Sequence, residues 1–388
     1  MKKLTVLLFA SLLSASEIEN LLSQSYNELF DLKYQQNISD KNYNSLSWLS
    51  PIMLSYEKSW SNQIGEKYSL QKRFRISIDQ PIFKSGGIYF GIKYAKAKAD
   101  TNALAVAKEK KQLITQAIEL LISYKITMLT ILKVKKQLQI NQININNTKE
   151  LYQAGMVDSL ALDDAFVKKD QNELNLLNLQ KNLTEIEEAF NKISSKDIRK
   201  LALPKLKIPS LEEFLSKNID IALAKSNTKT LNYLYKMTAS KYLPTISVGG
   251  SYNRISPVTP GTNRNFKNYY LRVSMPLTIN SKNDIQRAKL NYMIKKIDSK
   301  HSIKSAKAFY KSIIKKLEIY NKQIALSNKE LKIYKRLLAS TKRLFKAGQK
   351  SKYDVETMQL SYQIKKLDKS IYKLNKELEI LKLYKVMQ

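Results

Sequence analysis

Apolar residues recur in alternating steps of four and three along two long stretches of the chain, which is the repeat of a coiled coil. The first stretch leads to Leu151-Tyr152-Gln153-Ala154-Gly155 and the second to Leu344-Phe345-Lys346-Ala347-Gly348. The first seam comprises Ala117, Leu120, Tyr124, Thr127, Ile131, Val134, Leu138, Asn141, Ile145 and Thr148, and each position recurs 193 residues later. A fixed internal period sets the architecture. We therefore expect two similar halves, each built on a long helical hairpin that turns at a glycine.

The arms of these hairpins are predicted to be long and uninterrupted. Gly and Pro, which break helices, number only 9 and 8 among 388 residues. The first arm is expected from about Gly87 to Tyr152, which is roughly 100 Å of helix at 1.5 Å per residue. Further helices are expected at about 17–44, 159–192, 211–241, 281–345 and 351–386.

Shorter segments with strict alternation predict two β-hairpins. Phe74, Ile76 and Ile78 share one face of a segment whose other face is polar. Its expected partner is the segment 51–56 leading towards Trp60, joined through a loop at 61–66. The hairpins are expected at about 50–82 and 244–279, the second with Ile246, Val248, Tyr252, Leu271, Val273 and Met275 on its apolar faces.

The composition argues against catalysis. The chain has no Cys and one His, so disulfides and thiolate metal sites are excluded, and a histidine metal site or catalytic triad is unsupported. Asp163 and Asp164 are the nearest approach to an acid/base pair, but adjacent helical positions do not face each other. We expect no enzyme activity, no catalytic residue, no metal and no cofactor.

The net charge of +34 raises the question of a polyanionic partner. The lysines are spread over the whole chain and no nucleic-acid-binding motif is found, so no nucleic-acid partner is expected. Residues 1–16 combine Lys2-Lys3, an apolar run from Leu4 and small residues around Ala15, which is typical of a secretory signal peptide. The mature chain is therefore expected outside the cytoplasm.

Strands with one apolar and one polar face suit a membrane only if their edges are paired. In lipid, each unpaired backbone group costs several kcal/mol, and four strands are too few to close a barrel. Several chains would have to share one barrel, and three copies would supply twelve strands. Aromatic residues expected at the membrane interfaces are Trp48, Tyr56, Trp60, Tyr68, Phe83, Tyr252 and Tyr269.

The combination resembles the TolC-like outer membrane efflux family, the outer membrane factors. The resemblance spans the mature chain and rests on the duplicated order of helix, proline-flanked strand pair and helical hairpin, with repeats at 17–205 and 206–388. It rests also on the aromatic-x-x-Gly element that ends at Gly155 and Gly348. It implies a mostly α fold with a small β part, in which coiled-coil α-helical hairpins and four β-strands per chain close as a trimeric, 12-stranded outer-membrane barrel on a helical periplasmic tunnel.

The resemblance also implies partners and a gate. The homotrimer would contact outer membrane lipid, a periplasmic adaptor (membrane fusion) protein and an inner-membrane pump. A gate acid falls at Asp354 and a basic latch residue at Lys350, whereas Ala161 and Thr357 stand where the family has acids. From the residues alone, Asp163, Asp164, Asp354 and Glu356 gather near the turns, either as acidic rings that favour cations or as helix caps.

Apolar residues beside the two turns indicate a surface for the adaptor, or packing between neighbouring hairpins. They are Leu151, Tyr152, Met156, Val157, Leu344 and Phe345, together with Gly155 and Gly348. The leading hypothesis is a passive exit duct of a tripartite efflux system. The alternatives are the exit duct of a type I protein secretion system and, in a different class, a soluble secreted coiled-coil scaffold or polyanion-binding protein.

Overall fold

A computed structural model describes residues 21–61, 69–257 and 264–387 of the chain. The expected signal peptide 1–16, Tyr68 and most of the expected 61–66 loop lie outside these ranges. The elements are α1 Gln24–Leu46, β1 Met53–Ser61, β2 Ser69–Phe83, α2 Gly87–Gln153, α3 Ser159–Asn191, α4 Leu211–Ser216, α5 Ile219–Ser240, β3 Thr245–Pro257, β4 Arg264–Ser274, α6 Ser281–Lys346 and α7 Lys352–Tyr384. None of the described helices is long and apolar enough to cross a membrane.

The chain forms two compact units, and each draws on both halves of the sequence. The helical unit comprises Met1–Phe30, Ala107–Ile219 and Ser305–Gln388, and the sheet unit comprises Asp31–Val106 and Asp220–Lys304. This division cuts across the repeats expected at 17–205 and 206–388, which stay a prediction, and its boundaries fall within α2, after Val106, and within α6, after Lys304.

The helical hairpins reproduce the 193-residue offset. The return helices α3 and α7 begin at Ser159 and Lys352 and end at Asn191 and Tyr384, each pair 193 residues apart. The long helices α2 and α6 extend over 67 and 66 residues, so the expected arms are confirmed. Helix α1 begins at Gln24, and the N–H of the preceding Ser23 donates to the carbonyl oxygen of Ile193 (3.0 Å).

The strands form one antiparallel sheet in the order β1-β2-β3-β4. The register pairs Tyr56 with Phe74 and Ile76 with Tyr252. Strand β2 ends at Phe83, next to the expected hairpin limit near 82, and it continues through Pro81, where the register to β3 shifts, because a proline can be accommodated at an irregularity of the ladder. Strand β4 ends at Ser274, before the expected Met275. In one chain, β1 and β4 are the edges of the sheet.

The alternation expected for the strands is observed as two chemically different faces. Residues directly opposite each other share a face, which places Phe74, Ile76 and Ile78 with Leu54, Val248, Leu271 and Val273. We call this the apolar face; its Leu271 side chain is 68% exposed. The opposite face is polar, and there Asp79 pairs with Arg272, its counterpart 193 residues later, at 2.9 Å.

Within the helical unit, polar contacts establish the order α3-α2-α7-α6. Asn141 of α2 donates to the carbonyl oxygen of Lys168 on α3 (3.0 Å). The Lys133 ammonium of α2 lies 2.7 Å from Asp368 on α7. The Lys365 ammonium of α7 lies 3.2 Å from Glu330 on α6. Both predicted seams are buried or half-buried, with Ala117, Ile145, Ile313 and Leu317 among their most buried residues.

The helical unit has a compact core around α4. The ring of Phe214 is fully buried among Ile313, Leu317, Ile380, Leu383 and Met387. The Tyr310 and Tyr384 hydroxyls donate to the carbonyl oxygens of Pro209 and Lys207, both at 2.9 Å. The segment between the two sequence halves is thereby fixed to α6 and α7.

Replacing Phe214 with Ala should lower the free energy of unfolding of the helical unit by about 3–5 kcal/mol, because the vacated space is lined by side chains that cannot collapse into it. Urea denaturation followed by circular dichroism measures the change. Phe166→Ala is the matched control, since this ring is already 45% exposed in the chain. An equal loss in both variants would contradict the assignment of Phe214 to a core.

Candidate functional site

The two hairpin turns have the same backbone geometry. At the end of α2, the Met156 N–H donates to the carbonyl oxygen of Leu151 (2.9 Å), and the Gly155 N–H donates to that of Tyr152 (3.0 Å). At the end of α6, Gln349 and Gly348 make the same bonds to Leu344 and Phe345, at 2.9 and 3.0 Å. Each turn is a Schellman motif.

The glycine in each turn is required by the backbone conformation. Gly155 and Gly348 have φ values of +69° and +73°, in the left-handed region where a side chain is costly. An added Cβ would meet no atom within 4 Å at either position. The recurring aromatic-x-x-Gly element is therefore the sequence signature of a helix end, and its glycine is selected by backbone geometry rather than by close packing.

The return helices begin with side-chain caps at equivalent positions. The Asp158 carboxylate accepts from the Ala161 N–H (3.0 Å) at the start of α3. At the start of α7, the Ser351 hydroxyl oxygen accepts from the Asp354 N–H (3.1 Å), and the Asp354 carboxylate accepts from the Ser351 N–H (3.0 Å). The second arrangement is a capping box. Asp354, the expected gate acid, thus has a structural role in its own chain.

Hydrogen bonding holds the Asp354 carboxyl in its ionised form. The bond from the Ser351 backbone lowers the pKa of Asp354 most, and the Ser351 hydroxyl and Lys350 lower it further. The Lys350 ammonium lies 3.5 Å from the carboxylate. The proposed latch residue and gate acid are therefore in contact within one chain.

Of the other acids near the turns, Asp163 and Asp164 are exposed to solvent and Glu356 is half-buried. Asp164 pairs with Lys168 at 3.3 Å, and Glu356 with Lys352 at 3.7 Å, each four residues apart on one helix. Asp163 is exposed and, among the described residues, has no ion-pair partner within 4 Å. Solvated pairs of this kind contribute little stability, so the acids remain available to ions near the turns.

A contact between the two hairpins was not anticipated from the sequence. The Tyr353 hydroxyl on α7 donates to the Glu150 carboxylate on α2 at 2.7 Å, and this bond raises the pKa of Tyr353. The positions 193 residues away hold Arg343 and Leu160. The repeat could not indicate this bond, because neither partner is preserved in the other half.

The apolar residues proposed for adaptor contact differ in exposure. Leu151 and Val157 are half-buried, whereas Tyr152, Met156, Leu344 and Phe345 are exposed. Met156 is 73% exposed. The turns therefore present apolar atoms to solvent in the single chain.

The proposed interfacial aromatics fall into two groups. Tyr56, Trp60, Phe83, Tyr252 and Tyr269 lie on strands and share the apolar face. Trp48 precedes β1 and lines a cleft with Lys84, Ile88 and Met237. Its carbonyl oxygen accepts from the Gln80 side-chain amide at 3.2 Å. Trp48 is thus packed against the base of the sheet.

The chain shares its fold with solved outer membrane proteins, of which CmeC and MtrE are channels. The chain matches CmeC from Campylobacter jejuni with a TM-score of 0.78 and 15% identity, over 95% of this chain and 84% of that one. It matches VceC from Vibrio cholerae with a TM-score of 0.76 and 10% identity, over 92% of each chain. It matches the open state of MtrE from Neisseria gonorrhoeae with a TM-score of 0.72 and 15% identity, over 95% and 87%. The expected TolC-like fold is confirmed.

The sequence itself gives no comparable match. No protein-family model matches the chain, and no curated protein matches it. Identities of 10–15% to the solved channels establish a shared fold, and the turn chemistry of the present chain has to be argued from its own residues.

Replacing Asp354 with Asn should loosen the first turn of α7 at neutral pH, because the negative charge at the helix N-terminus is lost. Backbone amides of residues 352–356 should exchange with solvent about two- to fivefold faster, which corresponds to about 0.5–1 kcal/mol. Hydrogen exchange measured by mass spectrometry gives the rate.

The effect should depend on pH. A depressed pKa in the folded state stabilises above the ordinary aspartate pKa, and the stabilisation is lost as pH falls through the depressed value. The difference between Asp354→Asn and the parent should therefore vanish in acid. Asp164→Asn, at an exposed acid outside the cap, should leave exchange in α7 unchanged. A difference that persists in strong acid would argue against the ionised cap.

Proposed function

We propose that this chain is the outer membrane exit duct of an export system, conducting substrates passively and without catalysis. The observation that carries the proposal is the four-stranded sheet whose apolar face is exposed and whose edge strands β1 and β4 pair with no further strand among the described residues. Such a face is stable in lipid only when the edges are paired. The fold shared with outer membrane channels supports the same conclusion.

The helical unit indicates that the missing partners are further copies of this chain. Ile319, Leu326 and Ile333 form an exposed seam of spacing seven on α6, the helix at one end of the order α3-α2-α7-α6. Leu160, Val167 and Leu174 form a matching exposed seam on α3, at the other end. Two unpartnered seams on opposite ends of one unit favour head-to-tail assembly into a closed ring.

The internal repeat specifies how the two seams would pair. Ile333 is 45% exposed, whereas its counterpart Ile140 on α2 is 7% exposed. The counterparts of Val167 and Leu174 are Leu360 and Leu367 on α7, both half-buried. In one chain, α2 lies against α7 through Lys133–Asp368 and Glu150–Tyr353. We infer that α6 of one copy packs against α3 of the next in the same manner.

Three copies of the chain would complete both the sheet and the arrangement of long helices. They would give twelve strands, enough for a closed barrel, and twelve long helices around a continuous tunnel. The two repeats at 17–205 and 206–388 would then act as near-equivalent segments of the ring. On this proposal the sheet lies in the outer membrane, in contact with its lipid, and the hairpin turns lie in the periplasm.

The turns would be the site of coupling and gating. Exposed Tyr152, Met156, Leu344 and Phe345 offer an apolar surface to a periplasmic adaptor, through which an inner-membrane pump would supply the energy. Asp163, Asp164, Asp354 and Glu356 would recur in each subunit as acidic rings at the mouth. The present chain holds Asp354 through its own Ser351 and Lys350, so the gate would not need the acids that Ala161 and Thr357 replace.

Two other functions remain as outcomes of the tests. A type I protein secretion duct would have the same architecture, because a wide passive duct takes its specificity from the pump. A soluble secreted scaffold or polyanion-binding protein would require the apolar face of the sheet to be covered without lipid.

Leu326→Glu should prevent assembly, because it removes a leucine whose burial is worth about 1.5–3 kcal/mol and places a charge in each interface. Light scattering of the detergent-purified protein should give the mass of three chains for the parent and one for the variant. Asn321→Glu, an exposed position on another side of α6 with the same charge change, is the control and should remain trimeric. A trimeric Leu326→Glu variant would contradict the pairing of α6 with α3.

Single-channel recording in a planar bilayer should show small, discrete, cation-favouring steps. Asp354→Asn should weaken block by divalent cations several-fold, because one carboxylate per subunit is lost from the mouth. Ser351→Ala removes the capping hydroxyl but keeps the carboxylate, and it should leave the block close to that of the parent. Equal loss in both variants would assign Asp354 to the cap alone, and a water-soluble protein without conductance would refute the duct.

A further inference from the structure

The apolar face carries the same sequence of side-chain types on all four strands. Starting near the connecting loops, each strand presents a basic residue and then, two positions further in, an aromatic one. The pairs are Lys58 and Tyr56 on β1, Lys72 and Phe74 on β2, Arg254 and Tyr252 on β3, and Lys267 and Tyr269 on β4. Aliphatic residues follow towards the other end of the sheet, with Gly250 intervening on β3. The packing of the long helices does not explain this arrangement of side chains on the sheet.

The four basic residues form one continuous band, which we call the basic band. Lys58 is directly opposite Lys72. On β3, Ser256 is the partner of Lys72, and Arg254 lies two residues further from the connecting loop than Ser256. On β4, Lys267 is opposite Tyr252, which lies two residues further from the loop than Arg254. The band therefore shifts by four residues over three strand intervals, which is about 13 Å along the strands for about 14 Å across them. An inclination of this size places a band at one height when strands are tilted by roughly 35–45°.

The charge of the band is not neutralised within its own face. All four basic side chains are exposed, and none forms an ion pair within 4 Å among the described residues. The described strand residues on this face include no acid. The polar face differs, since Arg73 there pairs with Glu57 at 3.5 Å and Arg272 with Asp79 at 2.9 Å. Both acids of the described strands, Glu57 and Asp79, lie on that polar face, so the four basic residues of the apolar face have no acid beside them.

We propose that the basic band binds the phosphate groups of anionic lipid headgroups in the outer leaflet of the membrane. A lysine or arginine beside a ring of aromatic residues is placed where headgroups begin, and long basic side chains can extend from an apolar surface to phosphate. The inference rests on the proposed function, because it requires the apolar face to contact lipid.

The position of the basic band on the sheet indicates that it would contact the outer leaflet. It lies at the end of the sheet where the chain turns from β1 to β2 and from β3 to β4, and α1, α2, α5 and α6 are attached at the opposite end. In the proposed duct those helices lead into the periplasm. A trimer would carry twelve basic residues around the barrel at the level of the outer headgroups.

Tryptophan fluorescence provides a local test. The chain has two Trp residues, and the Trp60 ring lies 4.9 Å from the Lys58 ammonium. In a Trp48→Phe background, Trp60 is the reporter. The trimer is placed in vesicles of phosphatidylcholine that contain increasing amounts of phosphatidic acid. One of these two lipids carries brominated acyl chains, which quench Trp60 fluorescence, and the extent of quenching gives the binding constant of one lipid relative to the other.

The parent should prefer phosphatidic acid by about fivefold or more, the factor expected for one basic group near an anionic surface. The preference should fall as salt is raised. The combined variant Lys58→Gln, Lys72→Gln, Arg254→Gln and Lys267→Gln should bind both lipids equally. The matched control replaces four exposed α6 residues, Lys282, Lys289, Lys296 and Lys300, with Gln, which removes the same charge elsewhere and should keep the preference.

The outcomes distinguish a failure of the basic band from a failure of the duct. Equal quenching by both lipids in the parent, or an unchanged preference in the band variant, would overturn the basic band while leaving the duct intact. Loss of preference in the α6 control would assign the effect to net charge and would also overturn it. No quenching by either lipid would refute the membrane location and both proposals, and single-channel conductance of the band variant verifies that it still forms the channel.

Discussion

Burial of a 3.5-residue seam between neighbouring long helices is the interaction on which the rest of the structure depends. A helix of 67 residues gains little stability from its own propensity, and it continues without interruption because it packs along its length. The seam also fixes the register of the two halves, since α3 and α7 begin and end 193 residues apart. The positions of both turns, and of every side chain around them, follow from that register.

The same interaction explains why one chain is incomplete. Inside the chain, α2 has neighbours on two sides, α3 and α7. Its counterpart α6 contacts α7, and it exposes the seam of Ile319, Leu326 and Ile333. A repeat that buries a surface in one half and exposes the equivalent surface in the other is naturally completed by another copy of itself. The open edges of the sheet make the same demand through backbone hydrogen bonds.

Much of the fold could be predicted because its determinants are periodic and local. Heptad spacing, alternation and the paired glycines each recur, so one half of the sequence supports the interpretation of the other. The hairpin limit near 82 could be placed from the sequence, but the register shift between Pro81 and Phe83 could not, because it depends on the pairing with β3. The cleft that Trp48 lines could not be foreseen, because Lys84 and Met237, which line it too, are distant in sequence.

The candidate site was predictable to a smaller extent, for a physical reason. Residue types near a turn identify a helix cap, but they do not distinguish a carboxylate that caps from one that binds ions. In this chain Asp354 accepts from Ser351 and contacts Lys350, so its charge is partly committed within the turn. The Tyr353–Glu150 bond could not be derived from the repeat, since Leu160 and Arg343 occupy the equivalent positions.

The two halves differ at equivalent contacts that have different roles, one within a chain and the other between chains. The seams and turns can be equivalent in both halves because they only shape the tunnel. The contact between α2 and α7 lies within one chain and can form once, on folding, whereas the equivalent contact between α6 and α3 would form only on assembly. A tyrosine–carboxylate bond suits the first contact. At the second contact Leu160 and Arg343 occupy the equivalent positions, so that interface does not depend on forming the same buried hydrogen bond.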